Sequence, residues 1–119
     1  MPSGVVLDAN ALMMPFQFKL NLDREIMRLF GETPVYVPSS VLGELSALAD
    51  KNAKAALALA RKYSIVETDL SGDDGVIDVA ERRSAAVLTN DKELIRRLSK
   101  RHIEVVRLRG KGHLVRNER

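Results

Sequence analysis

Acidic residues stand directly after two apolar runs of the chain, at the points where strands would end. Asp8 follows residues 5–7, and Asp91 follows residues 86–90. Parallel strands that neighbour one another end at the same edge of a sheet, so these two carboxylates could lie close together. Each Asp alone also fits a plainer role, because Asp between a strand and a helix is a common cap or turn residue.

A third group of acids opens a segment with helical periodicity. Residues 72–78 contain three carboxylates, those of Asp73, Asp74 and Asp78. One Asp in the first turn of a helix is ordinary, because the helix dipole favours a negative charge there. Asp74 and Asp78 are four residues apart and share a helix face, where like charges repel unless a cation lies between them. A solvated acidic face is the alternative interpretation of this pair.

Glu44 is the fourth acid of interest, because it falls among apolar residues in the segment 41–45, near the start of a predicted helix. A carboxylate that is buried without a partner is costly. The position therefore indicates either a cation-binding carboxylate or a solvent-facing residue between buried neighbours. If these acids converge at one end of a sheet, they cannot all remain ionised without cations between them.

The side chains available favour a hard divalent cation, Mg²⁺ or Mn²⁺, since carboxylate oxygens are the ligands that these ions prefer. Nitrogen could come only from His102 and His113, which lie in the basic end of the chain and are interpreted as surface residues or as residues that face a polyanion. Cysteine is absent, and neither a Ser-His-Asp set nor a glycine-rich phosphate loop is evident. Water activated by a bound metal is then the remaining nucleophile.

Short apolar runs rich in Val and Ile alternate with helical segments along the chain. They predict five strands, at residues 4–7, 35–37, 64–66, 86–88 and 103–108. This pattern indicates an α/β fold, a three-layer α/β/α sandwich in which helices cover both faces of a parallel sheet of about five strands. Ligands of such sheets bind beyond the carboxyl ends of the strands, where the strand order reverses. The acids lie where this rule places a site.

Capping residues predict where the helices begin. Residues 52–63, rich in Ala and Leu, should form one helix. A further helix should follow Gly72. The expected caps of the other helices are Asn21, Ser39 or Ser40, and Asn90 together with Glu93.

Composition indicates one domain over residues 1–119, because 119 residues of which 45% are hydrophobic suffice for one core and not for two. The net charge of +3 conceals a basic segment at residues 96–119, where nine Lys or Arg face two Glu. The rest of the chain is therefore acidic. This division suits a protein that gathers cations at one place and polyanions at another, although a basic tail kept for solubility fits equally well.

The absence of cysteine excludes a disulfide framework and a thiolate metal site. No apolar stretch approaches the roughly 20 residues that cross a bilayer. The N-terminus lacks the basic start and apolar run of a signal peptide. We therefore expect a cytoplasmic protein with no membrane partner.

Four segments, taken in order, resemble a PIN domain, and the resemblance covers nearly the whole chain. They are VVLDANAL from Val5, VPSSVLGEL from Val37, GDDGVIDVA from Gly72 and VLTND from Val87. The resemblance implies a PIN-like, Rossmann-like fold, a divalent metal, and endonucleolytic cleavage of RNA.

The resemblance also implies roles for individual residues. The implied catalytic and metal-binding acids are Asp8, Glu44, Asp73 and Asp91. Asp74 and Asp78 are candidate supporting metal ligands, and Asn10 and Thr89 are polar neighbours. Asp73 is favoured over Asp74 as the main ligand because Ala80, seven residues later, fits the small helical position that the family usually shows.

The predicted partner of the basic segment is RNA. The segment could extend from the last strand toward the acidic pocket and guide a phosphate backbone with Arg107, Arg109, Lys111 and Arg116. A homodimer is a second candidate assembly. Its surface would use apolar residues that otherwise pack in the core, namely Met13, Met14, Phe16 and Phe18.

Within the family, residues 14–17, the paired Asp73 and Asp74, and residues 108–113 look closer to the ribosomal RNA processing branch, which has short archaeal relatives. Ribosomal RNA precursors are then a candidate substrate. A toxin-type ribonuclease of a toxin and antitoxin pair is an alternative, although that branch more often has a longer helical insert before the third acid. A catalytically silent PIN module that binds RNA or protein is another. A phosphoacceptor receiver domain is disfavoured, because its paired acids after the first strand and its partner Lys are not evident.

Overall fold

A six-stranded sheet forms the centre of the computed structural model, which describes residues 2–116. In chain order the strands are β1 (Val5–Leu7), β2 (Val35–Pro38), β3 (Ser64–Val66), β4 (Ala86–Leu88), β5 (Val105–Arg109) and β6 (His113–Arg116). Their order across the sheet is β3-β2-β1-β4-β5-β6. The first five strands pair in parallel, and β6 pairs with β5 in antiparallel fashion.

The predicted α/β fold with a parallel sheet is confirmed, with one strand more than expected. The sixth strand lies in the segment that the charge pattern had presented as a basic tail. After β5 the chain reverses through Gly110, whose φ of +66° suits glycine. Leu114, fully buried, then anchors β6 to the core. A single inward apolar residue among charged ones is too weak a pattern to predict a strand.

Six helices connect and cover the strands. They are α1 (Ala9–Gln17), α2 (Leu22–Phe30), α3 (Ser39–Ala47), α4 (Lys51–Ala60), α5 (Gly72–Arg83) and α6 (Lys92–Lys100). Helix α5 packs on the central strands, α6 on β5 and α2 on β6, while α1, α3 and α4 pack on one another. Within residues 2–116, no helix combines the length and apolar character that a membrane span requires.

The predicted caps are partly confirmed. The Asn21 side chain accepts the Arg24 N–H at 3.1 Å and begins α2, as expected. The expected cap of α3 is wrong, because Ser39 is the first helical residue and its hydroxyl instead accepts the N–H of Thr68. The expected cap of α6 is also wrong, since the cap is Asp91.

The core explains why two strands are apolar throughout. The side chains of β1 and β4 are wholly excluded from solvent, because a central strand is covered on both faces. Of the residues considered for a dimer surface, Met13 and Met14 are buried in this core and Phe18 packs against it. Phe16 alone of the four is exposed. A homodimer stays a prediction.

Candidate active site

The order of the strands reverses between β1 and β4, since the chain continues from β1 toward β3 on one side and from β4 toward β6 on the other. Leu7 at the end of β1 lies opposite Leu88 at the end of β4. Asp8 follows the first of these strands, and Asp91 begins the helix after the second. The structure therefore places both carboxylates at the reversal point, where ligands of such sheets bind.

Asp8 is buried in this edge, with 7% of its surface exposed. Its Oδ1 accepts the Ala11 N–H at 2.8 Å and thereby caps α1. The pKa of Asp8 is raised to about 7, chiefly by burial and in small part by the charges of Glu44 and Asp91, against the lowering effect of its hydrogen bonds with Thr89 and Ala11. A carboxyl with this pKa favours a nearby cation, since a cation stabilises its ionised form.

Asp91 caps α6 in the same way. Its Oδ1 accepts the Leu94 N–H at 3.1 Å, and its own N–H donates to Thr89 Oγ1 at 3.0 Å. The plainer interpretation as helix caps thus holds for both Asp8 and Asp91. It does not exclude a functional site, because each cap fixes a carboxyl group at the edge of the sheet.

Glu44 and Asp73 complete the acidic group from two further helices. Partial burial raises the pKa of Glu44, and the charges of Asp73 and Asp91 raise it further. Burial likewise raises the pKa of Asp73, assisted by the charge of Asp91. Glu44 is at the same time exposed between the buried Val41 and Leu45, so the solvent-facing interpretation also holds. Charge interactions link Asp8 with Glu44 and Asp91, and link Glu44 and Asp73 with each other and with Asp91. We call the region of these four acids the acidic edge.

The carboxylates of the acidic edge stand apart from one another. Within residues 2–116, no three Asp, Glu or His side chains converge closely enough to hold a metal ion. The residues nevertheless fit a divalent cation, because every donor is a carboxylate oxygen. Burial, and secondarily the neighbouring carboxylates, raise the pKa of Asp8, Glu44 and Asp73, and a bound cation would favour their ionised forms.

The structure does not bring Asp78 to the acidic edge. Its Oδ2 accepts hydrogen bonds from Thr68 Oγ1 at 2.8 Å and from Arg82 Nη2 at 2.9 Å. These partners lower the pKa of Asp78, the reverse of the shift at the four acids. The expectation of a cation between Asp74 and Asp78 therefore does not hold, since each of the two has its own arginine.

Asp74 lies beside the acidic edge and not within it. Its Oδ1 accepts from Arg97 Nη2 at 2.6 Å, and 60% of its side chain is exposed. Asp73 is the member of the pair whose pKa is raised by Asp91. Asp73 as the main metal ligand stays a prediction.

Asn10 and Thr89 join the segments that carry Asp8 and Asp91. Thr89 is fully buried, and its side chain hydrogen-bonds with both acidic segments, accepting the Asp91 N–H and pairing with the Asp8 carboxyl. The Asn10 side chain accepts the Asn90 N–H at 2.9 Å. Both residues thus have positions that suit polar neighbours of the site.

Residues beyond the predicted set also reach the acidic edge. Arg97 lowers the pKa of Asp73, while Glu93 raises it. Helical spacing could have indicated both, because they are four residues apart on the helix that begins after Asp91. Ser40 Oγ is buried without a hydrogen-bond partner in the described part of the chain. No sequence signal marks it.

The basic segment divides between the two ends of the sheet. Arg109 and Lys111 are exposed at the turn that follows β5, at the same end as the acids. Arg107 is exposed two residues earlier on the same face of β5. The expected extension toward the pocket is wrong for Arg116, which pairs with Val106 near the start of β5.

Arg116 has structural partners at that far end. Its Nη2 donates to Glu104 Oε1 at 2.9 Å, and its guanidinium lies 4.4 Å from the centre of the Phe30 ring. Arg119, the last residue of the predicted basic segment, lies outside the described residues.

Comparisons with known proteins agree with this geometry. The model of the PIN like domain family matches residues 5–111. Ribonuclease VapC9 of Archaeoglobus fulgidus is 35% identical over 107 residues, covering 84% of this chain and 78% of the relative. Ribonuclease VapC4 of Methanocaldococcus jannaschii is 30% identical over 121 residues, covering 92% of each chain.

A solved structure gives the same fold. The PIN domain endonuclease Utp24 superposes with a TM-score of 0.81 at 23% identity, and the match covers 98% of this chain and 92% of that one. The family match spans most of the chain and includes the segments of all four acids. This chain belongs to the PIN-like domain family.

Proposed function

We propose that this chain is a divalent-metal-dependent ribonuclease that hydrolyses phosphodiester bonds of RNA at the acidic edge. The observation that carries the proposal is that Asp8 and Asp91, 83 positions apart in the chain, meet at the reversal of strand order between β1 and β4. Glu44 and Asp73, from two further segments, lie near enough to influence them by charge. Family membership and the two archaeal ribonucleases support a nuclease.

The four acids divide into a fixed pair and an adaptable pair. Asp8 and Asp91 are held by helix caps and by the buried Thr89. Glu44 and Asp73 come from α3 and α5, and neither of them caps its helix, so their side chains can adjust to an ion. Mg²⁺ or Mn²⁺ bound by these residues would supply an activated water and offset charge on the phosphate. The exposed Arg109 and Lys111 lie at the same end of the sheet and would hold the RNA backbone.

The biological substrate depends on the branch of the family. The two sequence relatives are named VapC ribonucleases, which favours a toxin-type ribonuclease with an antitoxin partner. The likeness to Utp24 is below 25% identity and supports the fold alone. We therefore propose the toxin-type activity first and ribosomal RNA processing second. A cytoplasmic location stays a prediction.

A cleavage assay tests the enzymatic proposal. The purified chain is incubated with structured and with single-stranded RNA in the presence of Mg²⁺, Mn²⁺ or EDTA. We expect cleavage with either metal and none with EDTA. Cleavage that persists in EDTA would contradict the metal mechanism. Retention of RNA without cleavage under every condition would instead identify a catalytically silent binding module.

A further inference from the structure

The loop between β3 and α5, residues 67–71, leads directly into Asp73. Its last residue, Ser71, is the N-cap of α5 but makes no side-chain capping hydrogen bond. The first helical residue, Gly72, has a φ of +56°. The start of α5 is therefore not fixed by its own cap, and its position depends on what holds the loop.

Thr68 ties this loop to two helices at once. Its N–H donates to Ser39 Oγ at 3.0 Å, and Ser39 begins the helix that carries Glu44. Its Oγ1 donates to Asp78 Oδ2 at 2.8 Å, and Asp78 lies on the helix that carries Asp73. One residue thus links the two elements that supply the adaptable pair of acids.

Asp78 and Arg82 secure the other side of the loop. Arg82 Nη2 donates to the Glu67 carbonyl at 2.6 Å and to Asp78 Oδ2 at 2.9 Å. Asp78 Oδ2 therefore accepts from Thr68 and from Arg82 together. We call Asp78, Thr68 and Arg82 the Asp78 clamp.

The loop also lies directly against α5 at the turn that holds Asp73. A Cβ atom built on Gly75 would lie 2.7 Å from the Leu70 carbonyl oxygen and 2.6 Å from Ser40 Oγ. Glycine at this position permits an approach that any larger residue would block. A change in the loop would therefore be transmitted to the first turn of α5.

We propose that the Asp78 clamp is a positioning device, which fixes the loop against α5 and thereby sets the spacing of Asp73 and Glu44 for a divalent cation. This inference rests on the proposed function and assigns to Asp78 a role other than metal ligand. It predicts that loss of the clamp weakens cation binding more than it weakens the fold, since the clamp residues are partly exposed.

The test measures Mn²⁺ binding to the full chain by titration calorimetry, beside urea unfolding in EDTA. Asp78→Ala and Thr68→Val each remove the central hydrogen bond. We expect both to weaken Mn²⁺ affinity by about tenfold, the lower end of what partners of metal ligands contribute. Thr68→Ser keeps the hydroxyl and should restore wild-type affinity.

Glu81→Ala is the matched control. Glu81 lies on the same helix, carries the same charge as Asp78 and forms a comparable surface ion pair with Arg101 at 3.0 Å. Its loss should leave Mn²⁺ affinity within about twofold of wild type, a bound set against the tenfold expected for the clamp. Thr68→Val removes no charge, so the two clamp variants together separate positioning from a general electrostatic effect.

Two outcomes overturn the inference without touching the proposed function. One is wild-type Mn²⁺ affinity in folded Asp78→Ala and Thr68→Val proteins. The other is equal weakening by Glu81→Ala. A wild-type chain that binds no Mn²⁺ would overturn the proposed function and the positioning role with it.

Discussion

The side chain of Asn90 extends the pairing of β4 with β5, because it forms two hydrogen bonds with the backbone of Leu108. Leu108 N–H donates to Asn90 Oδ1 at 2.8 Å, and Asn90 Nδ2 donates to the Leu108 carbonyl at 3.3 Å. The Asn90 backbone N–H meanwhile donates to Asn10 Oδ1. Asn90 thus joins β5 to α1. Because its side chain is bonded to Leu108, it does not cap α6, and the next residue, Asp91, does so.

Asn90→Ala should lower the free energy of unfolding by about 1–3 kcal/mol, because it leaves two backbone groups of Leu108 without their partner. Urea unfolding followed by circular dichroism measures the change. Equal midpoints for wild type and Asn90→Ala would show that β5 is held by other contacts.

Asp8→Asn should abolish RNA cleavage while preserving the fold. The change removes the most deeply buried charge of the acidic edge, whereas the amide oxygen of Asn can still accept the Ala11 N–H and cap α1. RNA cleavage in Mg²⁺ or Mn²⁺ and the circular dichroism spectrum are measured on the same preparation. A well-folded Asp8→Asn protein with undiminished cleavage would refute the proposed mechanism.

The same variant should be more stable than wild type in EDTA above neutral pH. The folded-state pKa of Asp8 is raised from 3.8 to about 7, so the folded protein binds this proton more tightly than the unfolded chain does. The contribution of Asp8 to stability therefore falls as pH rises from about 4 to 7. Asp8→Asn removes this dependence and should gain on the order of a few kcal/mol at pH 8. The gain should vanish near pH 4, and a gain that persists there would contradict the assigned cause.

The positions of Asp8 and Asp91 could be predicted from sequence because local order determines them. Each follows a strand that is buried on both faces, and such strands read as continuous apolar runs. The reversal of strand order between β1 and β4 then brings their ends together. Apolar runs of the same kind predicted five of the six strands of the sheet.

Arg82, four residues after Asp78 on the same helix, is a partner that helical spacing could indicate, but the other partners of Asp74 and Asp78 come from distant elements and could not be predicted. Asp74 and Asp78 lie one turn apart on the same helix. Arg97 of α6 nevertheless donates a hydrogen bond to Asp74, whereas Thr68 of the preceding loop donates one to Asp78. No periodicity within α5 encodes that difference. The strand β6 was missed for the same reason, since its burial depends on packing against α2.

Glu25 offers a prediction about that packing. Its buried carboxylate accepts from Arg28 Nη2 at 2.9 Å and from the Leu114 N–H at 2.9 Å, so it joins α2 to β6. These partners hold its pKa below the ordinary value of 4.5. A lowered pKa contributes stability above the unfolded value, and this stability is lost as pH falls through the folded one.

Glu25→Gln should therefore be less stable than wild type at pH 7, by about 1–3 kcal/mol for a charged hydrogen bond at a buried site. The difference should shrink below pH 4.5, where wild-type Glu25 begins to lose its charge in the unfolded chain. Urea midpoints of both proteins at a series of pH values measure it. A difference that is constant from pH 7 to pH 3 would assign the effect to packing and not to charge.

Variants at the turn between β5 and β6 can test RNA binding separately from RNA cleavage. Arg109 and Lys111 are exposed there at the end of the sheet that carries the acids. Each phosphate contact on a single strand lowers log affinity by about 0.7 for each log unit of salt. Replacing both residues with alanine should therefore reduce the salt slope by about 1.4 and weaken binding with little regard to RNA sequence.

Arg116→Ala is the control for this pair, because Arg116 is held by Glu104 and Phe30 at the opposite end of β6. It should lower stability and leave the salt slope unchanged. Point variants are needed here, since a truncation after Leu108 would also delete the buried Leu114 and disturb the core. Fluorescence anisotropy with labelled RNA, at several salt concentrations and in EDTA to prevent cleavage, measures each slope. If the double variant kept the wild-type slope and affinity, the basic turn would have no part in holding RNA, and its charge would serve solubility alone.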